Sequence, residues 1–464
     1  MNNFFSKKYN FFLCFVIFLC FLALFSSCSS VPSEKATRIK PIYYSSLDNE
    51  PFFVQNENLF IKRHLSNGIP VVIKKSINQK DCSINLVINS LENEISQTKS
   101  GIAEVTLDLL KCGTQKYNSN YIQSLSYAES INIKSFVHND YYEYRFVCPK
   151  EKINSYINVF SESFKTPLLS SSDFEKIIEL KIKDLTENIN EKVLLELIYN
   201  YLNKDGSYIN YPFYSTKSKI NFKDVVNFHN SLLNANRIMI FVSGNFSDTD
   251  IPILYETLNQ NFGKIKSKAI QKKQATNNSL DFNKISAINF SIEENSLTIN
   301  SSKNKKNILG LYNIPLYCSS EYINYAIASL LIDDLFYKEL KSNAIQDIGT
   351  GNILGNPNIG VISIYGATLD FDYKNLLERL LNKMSIEYIN SNLGAIKDVY
   401  TSFIMSTELS SEKTVNQMTR SFIYNSDATN YIRFPFYINR ATCDQVKMAI
   451  DNSIKKGIAW FSVE

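Results

Sequence analysis

Two carboxylates four residues apart, Glu104 and Asp108, stand in the stretch Ser100-Gly-Ile-Ala-Glu-Val-Thr-Leu-Asp-Leu-Leu-Lys-Cys-Gly-Thr114. Its apolar spacing predicts a helix over about 101–111. That interval puts both side chains on one helical face, where like charges cost about 0.2–0.5 kcal/mol at an exposed site. Oxygen donors of this kind suit calcium or magnesium rather than zinc. The three histidines, His64, His138 and His229, include no i, i+4 pair, so no helical zinc motif is visible. There is no Cys-x-x-Cys pair, no Gly-x-Ser-x-Gly elbow, and no Cys placed near a His to suggest a thiol nucleophile. The run Gly349-Thr-Gly-Asn-Ile-Leu-Gly355 lacks the preceding strand and following helix of a phosphate-cradling turn, and reads as a flexible loop.

The elements that must hold these residues follow from periodicity. Asn67-Gly68 between the apolar runs of 60–74 predicts a hairpin. Residues 83–89 largely alternate apolar and polar, as a half-buried strand does. Beyond the 101–111 helix come a helix near 118–129, a strand over 131–138 and the aromatic strand Tyr141-Tyr-Glu-Tyr-Arg-Phe-Val147. Amphipathic helices over 151–164 and 171–202 and a strand over 237–246 close a first unit. Residues 264–282 have no apolar period and read as a solvated linker. The order then repeats, with a strand at 308–314, a helix at 320–341, a strand at 360–368 and helices at 373–391 and 394–407. A chain of 464 residues exceeds one ordinary core, so two α+β units are expected. The net charge of +4 is spread among interspersed signs, which implies no broad basic face for nucleic acid.

The N-terminus reads as an address. Lys7 and Lys8 precede an apolar run over 11–25, and Ser26-Ser-Cys-Ser-Ser30 resembles a bacterial lipobox in which Cys28 carries the lipid. This gives a signal peptide at 1–27 and a lipidated polar tether at 28–57. The alternative is an uncleaved anchor helix, although the run is short against the roughly 20 residues a span needs. Either reading puts the body outside the cytoplasm, tethered to a membrane. The body keeps Cys82, Cys112, Cys148, Cys318 and Cys443, an odd and scattered set read mostly as small buried hydrophobes. One disulfide suits that compartment, and the sequence does not assign its partners.

The 100–114 stretch resembles the metal helix of the insulinase and pitrilysin-like peptidases, which include the mitochondrial processing peptidases. Their helix reads roughly Gly-Leu-Ala-His-x-x-Glu-His-x-x-x-x-Gly-Thr. Here Gly-Ile-Ala and Gly-Thr are kept, while Glu104 replaces the first His, Leu107 the general-base Glu and Asp108 the second His. Similar matches are Lys116-Tyr-Asn-Ser-Asn-Tyr121, Glu129-Ser-Ile-Asn-Ile-Lys-Ser135, Asp140-Tyr-Tyr-Glu-Tyr144, the helix running from Asp173 to Leu185, and Val242-Ser-Gly-Asn-Phe246. The likeness covers about 58–246 well and 305–410 loosely. In the family the third zinc ligand, a Glu, lies roughly 76 residues after the second His, and the same interval from Asp108 reaches Asp184.

The resemblance implies an α+β fold of two homologous α/β sandwich units, with antiparallel-rich sheets covered by helices and facing each other across a cleft. The N-terminal unit would span 58–263 and hold the degenerate metal site, and the C-terminal unit would span 283–464. It also implies lost catalysis. A zinc site of this kind needs imidazoles, one carboxylate and an open position for water, with a Glu to take the proton from that water. Leu107 takes no proton. Glu104, Asp108 and Asp184 remain as a weak hard-cation site for calcium or magnesium, or else as polar drift balanced by Lys181, Lys183 or solvent. Zinc is not expected. Where the family's second unit supplies a substrate-binding Arg and Tyr, Lys341-Ser-Asn-Ala-Ile-Gln-Asp347 leaves Lys341 and Asp347 as degenerate positions.

The expected function is that of a non-catalytic lipoprotein of the cell envelope, on the inner or outer membrane and facing the periplasm or exterior. It would bind extended peptides by strand addition at a sheet edge or assemble with an active family peptidase. The rivals are a metallopeptidase of residual or altered-metal activity and a purely structural envelope lipoprotein.

Overall fold

The computed structural model describes residues 59–91, 94–138, 140–187, 219–269, 288–289, 305–315, 317, 320–339, 347–352, 359–368, 370–453 and 458–463. All lie in the second of two compact units, 49–464. The expected signal peptide and tether with Cys28, the linker beyond residue 269, Cys318, Lys341 and the tail of the 171–202 helix fall outside the described residues.

Gly68 takes φ +87°, a conformation glycine adopts without a Cβ penalty, and so turns β1 (Phe60–His64) into β2 (Pro70–Lys75). With β3 (Asp81–Asn89), β4 (Asn132–Val137), β5 (Tyr141–Pro149) and β6 (Ile238–Gly244) these form a six-stranded sheet ordered β1-β2-β6-β3-β5-β4. The β2–β6 pair is parallel and the others are antiparallel. Helices α1 (Ile102–Leu109), α2 (Ser119–Glu129), α3 (Ile153–Lys165), α4 (Ser171–Glu187), α5 (Phe222–Leu232) and α6 (Asp250–Phe262) belong to the same half. Their apolar faces share one core with Ile84, Leu86 and Ile88 of β3 and with Tyr142, Tyr144 and Phe146 of β5. Neither α5 nor α6 is among the elements expected from the sequence. Yet α5 opens on a reciprocal capping box between Asn221 and Asp224, a start signal carried by residue type rather than by spacing.

The second half holds a five-stranded sheet of β7 (Ile288–Asn289), β8 (Lys305–Asn313), β9 (Asp347–Asn352), β10 (Ile359–Thr368) and β11 (Ala459–Val463), ordered β7-β11-β8-β10-β9. Its helices are α7 (Ser320–Glu339), α8 (Tyr373–Lys383), α9 (Ile386–Thr407), α10 (Ser411–Asn425), α11 (Phe434–Arg440) and α12 (Cys443–Ser453). The expected loop at 349–355 is corrected in part, because residues up to Asn352 are edge strand β9 paired to β10. Thr350 anchors that strand: its N–H and hydroxyl each donate to Asp333 Oδ1 of α7 at 2.8 Å. Tertiary bonds thus override the weak strand preference of a Gly-rich run. The break between α8 and α9 also moves, to Met384–Ser385, where the Ser385 hydroxyl caps α9 by accepting from Tyr388 N at 3.2 Å.

Both faces of the first sheet are covered. Val72, Val87, Tyr141, Met239 and Phe241 point away from the α1 side and join the core of the second half. Helix α10 lies across β3 and β6. Ser83 Oγ and Ser411 Oγ are 2.9 Å apart, the Asn85 amide donates to Thr419 Oγ1 at 2.9 Å, and the Gln79 amide donates to Thr414 Oγ1 at 2.9 Å. The alternation of β3 therefore does not mark a wet face, since Ser83 and Asn85 are fully buried. Where a cleft between the halves was expected, over β3 and β6 there is a packed helix.

Candidate functional site

Helix α1 is set at both ends by glycine. Gly101 caps its start with φ +80°, and its carbonyl accepts from Val105 N at 3.0 Å. Beyond the other end Gly113 takes φ +138°, and Thr114 Oγ1 accepts from Lys116 N at 3.1 Å and Tyr117 N at 2.8 Å. Gly101 and Gly113 thus supply the positive φ values at the two ends, and Thr114 closes the following turn. Ile102, Ala103, Val105, Leu107 and Leu109 face the core. Leu107 is 0% exposed, a burial that contributes about 2 kcal/mol.

Glu104 and Asp108 lie on the opposite, half-buried face. Lys181 of α4 reaches across to them, its Nζ lying 3.4 Å from Glu104 Oε2 and 3.1 Å from Asp108 Oδ2. Lys111 donates to Asp108 Oδ1 at 2.7 Å and to Ser135 Oγ of β4 at 2.9 Å. Burial alone would raise the Asp108 pKa, but the Lys111 and Lys181 ammonium groups outweigh it and hold the carboxyl below its ordinary value. Burial would lower Lys181, and Glu104 and Asp108 reverse that, so its pKa is raised. The two shifts agree in favouring the charged forms of Asp108 and Lys181.

The structure brings Glu104, Asp108 and Lys181 together, with Asp184 one helical turn beyond Lys181 on α4. Among the described residues no three His, Cys, Asp or Glu side chains are grouped to hold a metal ion. The donors do not fit zinc: the carboxylates bracket an ammonium, and no imidazole joins them. His229 is buried with Nε2 2.8 Å from the Phe164 carbonyl, and burial lowers its pKa. His138 stacks on Tyr141 at 4.3 Å. His64 is exposed on edge strand β1. Lys181 was one of the balancing groups named from sequence, whereas Lys111 was not, although its i, i+3 spacing from Asp108 is a readable signal. Asp347 starts edge strand β9.

Sequence reasoning missed a second charged group, on the other face of β5. Arg145 pairs with Glu143, donates to Glu412 Oε1 of α10 at 3.2 Å and to Asn416 Oδ1 at 2.8 Å. Lys134 of β4 also donates to Glu412, at 2.8 Å. Burial would raise Glu143, but His138 and Arg145 offset it and its pKa is lowered. Two alternate charges in an aromatic strand were the available sign.

Residues 70–210 match the model of the insulinase family, peptidase family M16. That segment is insulinase-like. No curated protein matches it by sequence. Among solved structures it is similar to a protease from Helicobacter pylori, with TM-score 0.72 and 13% identity over 87% of this chain and 99% of that one. It is also similar to a peptidase M16 inactive domain from Pseudomonas fluorescens, with TM-score 0.68 and 13% identity over 87% and 97%. The periplasmic protease PqqL from Escherichia coli gives TM-score 0.65 and 10% identity over 87% of this chain and 45% of that one. These likenesses are of fold. Among the described residues no helix of this chain is long and apolar enough to cross a membrane.

Proposed function

We propose that this chain is a non-catalytic insulinase-like subunit of the cell envelope, lipid-anchored through Cys28, that binds extended peptides or pairs with an active peptidase of its family. The observation that carries the reading is the Lys181 ammonium between Glu104 and Asp108, with Leu107 of the same helix buried in the core. Metal-assisted hydrolysis needs a bound water and a base to deprotonate it. At these positions the chain offers a fixed cation and an aliphatic side chain.

The edge that supports peptide binding is β4, the last strand of its sheet among the described residues. His138 N donates to Tyr141 O at 2.9 Å, and β4 continues that register against β5. Antiparallel pairs alternate, so the backbone groups of Ile133, Ser135 and Val137 point outward, and an added strand would bond there. Pairing draws support from PqqL. This chain covers 45% of PqqL but 91% of that protein's first half, so that relative joins two comparable portions.

The test measures peptide binding by fluorescence anisotropy and peptide hydrolysis with zinc supplied. Binding without cleavage is expected. Ser135→Pro removes the outward N–H and should weaken binding at least about tenfold, the effect of losing roughly one to two hydrogen bonds. Ser135→Ala should leave it intact. Cleavage abolished by a chelator or by Asp108→Ala would sink the reading. So would a pulldown that recovers no insulinase-family peptidase together with a protein that binds no peptide.

A further inference from the structure

Cys82 of β3 and Cys148 of β5 are directly opposed in antiparallel register. Both are buried, and their Sγ atoms are 3.4 Å apart. Residues opposed in this way hold their Cα atoms roughly 4.5–5.5 Å apart, inside the roughly 4.4–6.8 Å over which a disulfide closes without backbone movement. The next strand leaves room for the pair, since a Cβ added at Gly244 of β6 would come within 2.7 Å of the Cys82 Cβ. Cys112 and Cys443 turn their sulfurs elsewhere, toward the Asp108 carbonyl at 3.6 Å and the Asn390 side-chain oxygen at 3.4 Å.

We propose that Cys82 and Cys148 are a disulfide site, oxidised while the first half of the chain folds. Two S–H bonds break and one Sγ–Sγ bond forms. The two protons pass to solvent bases. The two electrons pass to the disulfide of an exchange oxidant, which leaves as two thiols. That oxidant is a thiol–disulfide oxidoreductase or a low-molecular-weight disulfide. Exchange starts from a thiolate. In the finished fold the Cys82 contact, together with burial, pushes the Cys148 thiol far above its usual range. Oxidation therefore belongs to the interval before the helical layer covers β3 and β5, and the finished bond is shielded from reductant. The bridge closes the segment that carries α1, α2 and β4, tying β5, the neighbour of edge strand β4, to β3.

Only the natural source of oxidant rests on the envelope location proposed above, so the first arm is performed in vitro. The full-length chain in detergent is reduced, unfolded, refolded in a glutathione redox buffer, alkylated and digested. A linked peptide pair containing Cys82 and Cys148 is expected, with Cys112 and Cys443 alkylated. Alkylation of both Cys82 and Cys148, or a bridge from either to another cysteine, overturns the proposal. In a second arm, cells are alkylated before lysis and the same peptides are mapped. The same pair is expected, and two alkylated thiols on envelope-located protein overturn the bridge in the mature chain. A chain found only in the cytoplasmic fraction defeats the location, while the refolding result still decides whether Cys82 and Cys148 pair. The oxidised chain should also unfold several degrees above the reduced one, and Cys82→Ala/Cys148→Ala should abolish that response to reductant.

Discussion

Asp108 illustrates how two neighbouring cations hold a half-buried carboxylate in its charged form. Its carboxyl is held below the ordinary range by Lys111 and Lys181 against the opposing effect of burial. A depressed folded value means that its contribution is present above the ordinary carboxylate range and is lost as pH falls through the lowered value. Asp108→Asn should therefore cost about 1 kcal/mol at neutral pH, and urea titrations should show the gap to wild type closing in acid. Lys181→Gln removes the shared cation and leaves Glu104 and Asp108 facing each other, with Asp184 one turn along α4. Oxygen donors at such a site would take calcium with a Kd on the order of 1 mM. Calcium should raise the melting temperature of the variant and not that of wild type, and equal responses would refute the ammonium's role as occupant.

At the scale of elements, α10 on the first sheet is held by polar contacts in a buried face. Glu412→Ala strips Lys134 and Arg145 of one partner each, while Arg145 keeps Glu143. We expect a loss of about 2 kcal/mol in equilibrium unfolding, with β4 and α10 losing amide-exchange protection together. Asp140, between β4 and β5, behaves oppositely. Burial raises its pKa to about 6, against a hydrogen bond from Tyr424 and the charge of His138. A raised value means its favourable contribution is complete below the ordinary carboxylate range and is lost as pH rises through about 6. Asp140→Asn should thus stabilise the protein on the order of 2 kcal/mol above that pH and leave it unchanged below roughly pH 4. A variant that is less stable at neutral pH would contradict this.

Across the whole molecule, two sheets of like construction are joined through α10 and a shared core. On the proposed reading, a peptide or partner would meet the chain at the outer edge β4. Anchoring through Cys28 predicts that metabolic labelling with a fatty acid tags the wild-type chain and not Cys28→Ala. An unlabelled wild type would remove the lipid anchor from the proposal.

The sequence alone determined the helix of the site. Gly101, Gly113 and Thr114 encode the helix ends through local backbone geometry, and Leu107 is a side chain that takes no proton. The succession of strands along the first half was legible too, because period-two patterns are local. Tertiary structure decided what covers each face. Ser83 and Asn85 alternate like solvent-facing residues yet bond α10, and a Gly-rich run became β9 because Asp333 receives it. Lys181 was one of several cations available to Glu104 and Asp108, and the packing of α4 on α1 selected it. Periodicity records which side a residue faces. It carries no information on whether water, an ammonium or another half of the chain stands there, because those contacts join residues far apart in sequence.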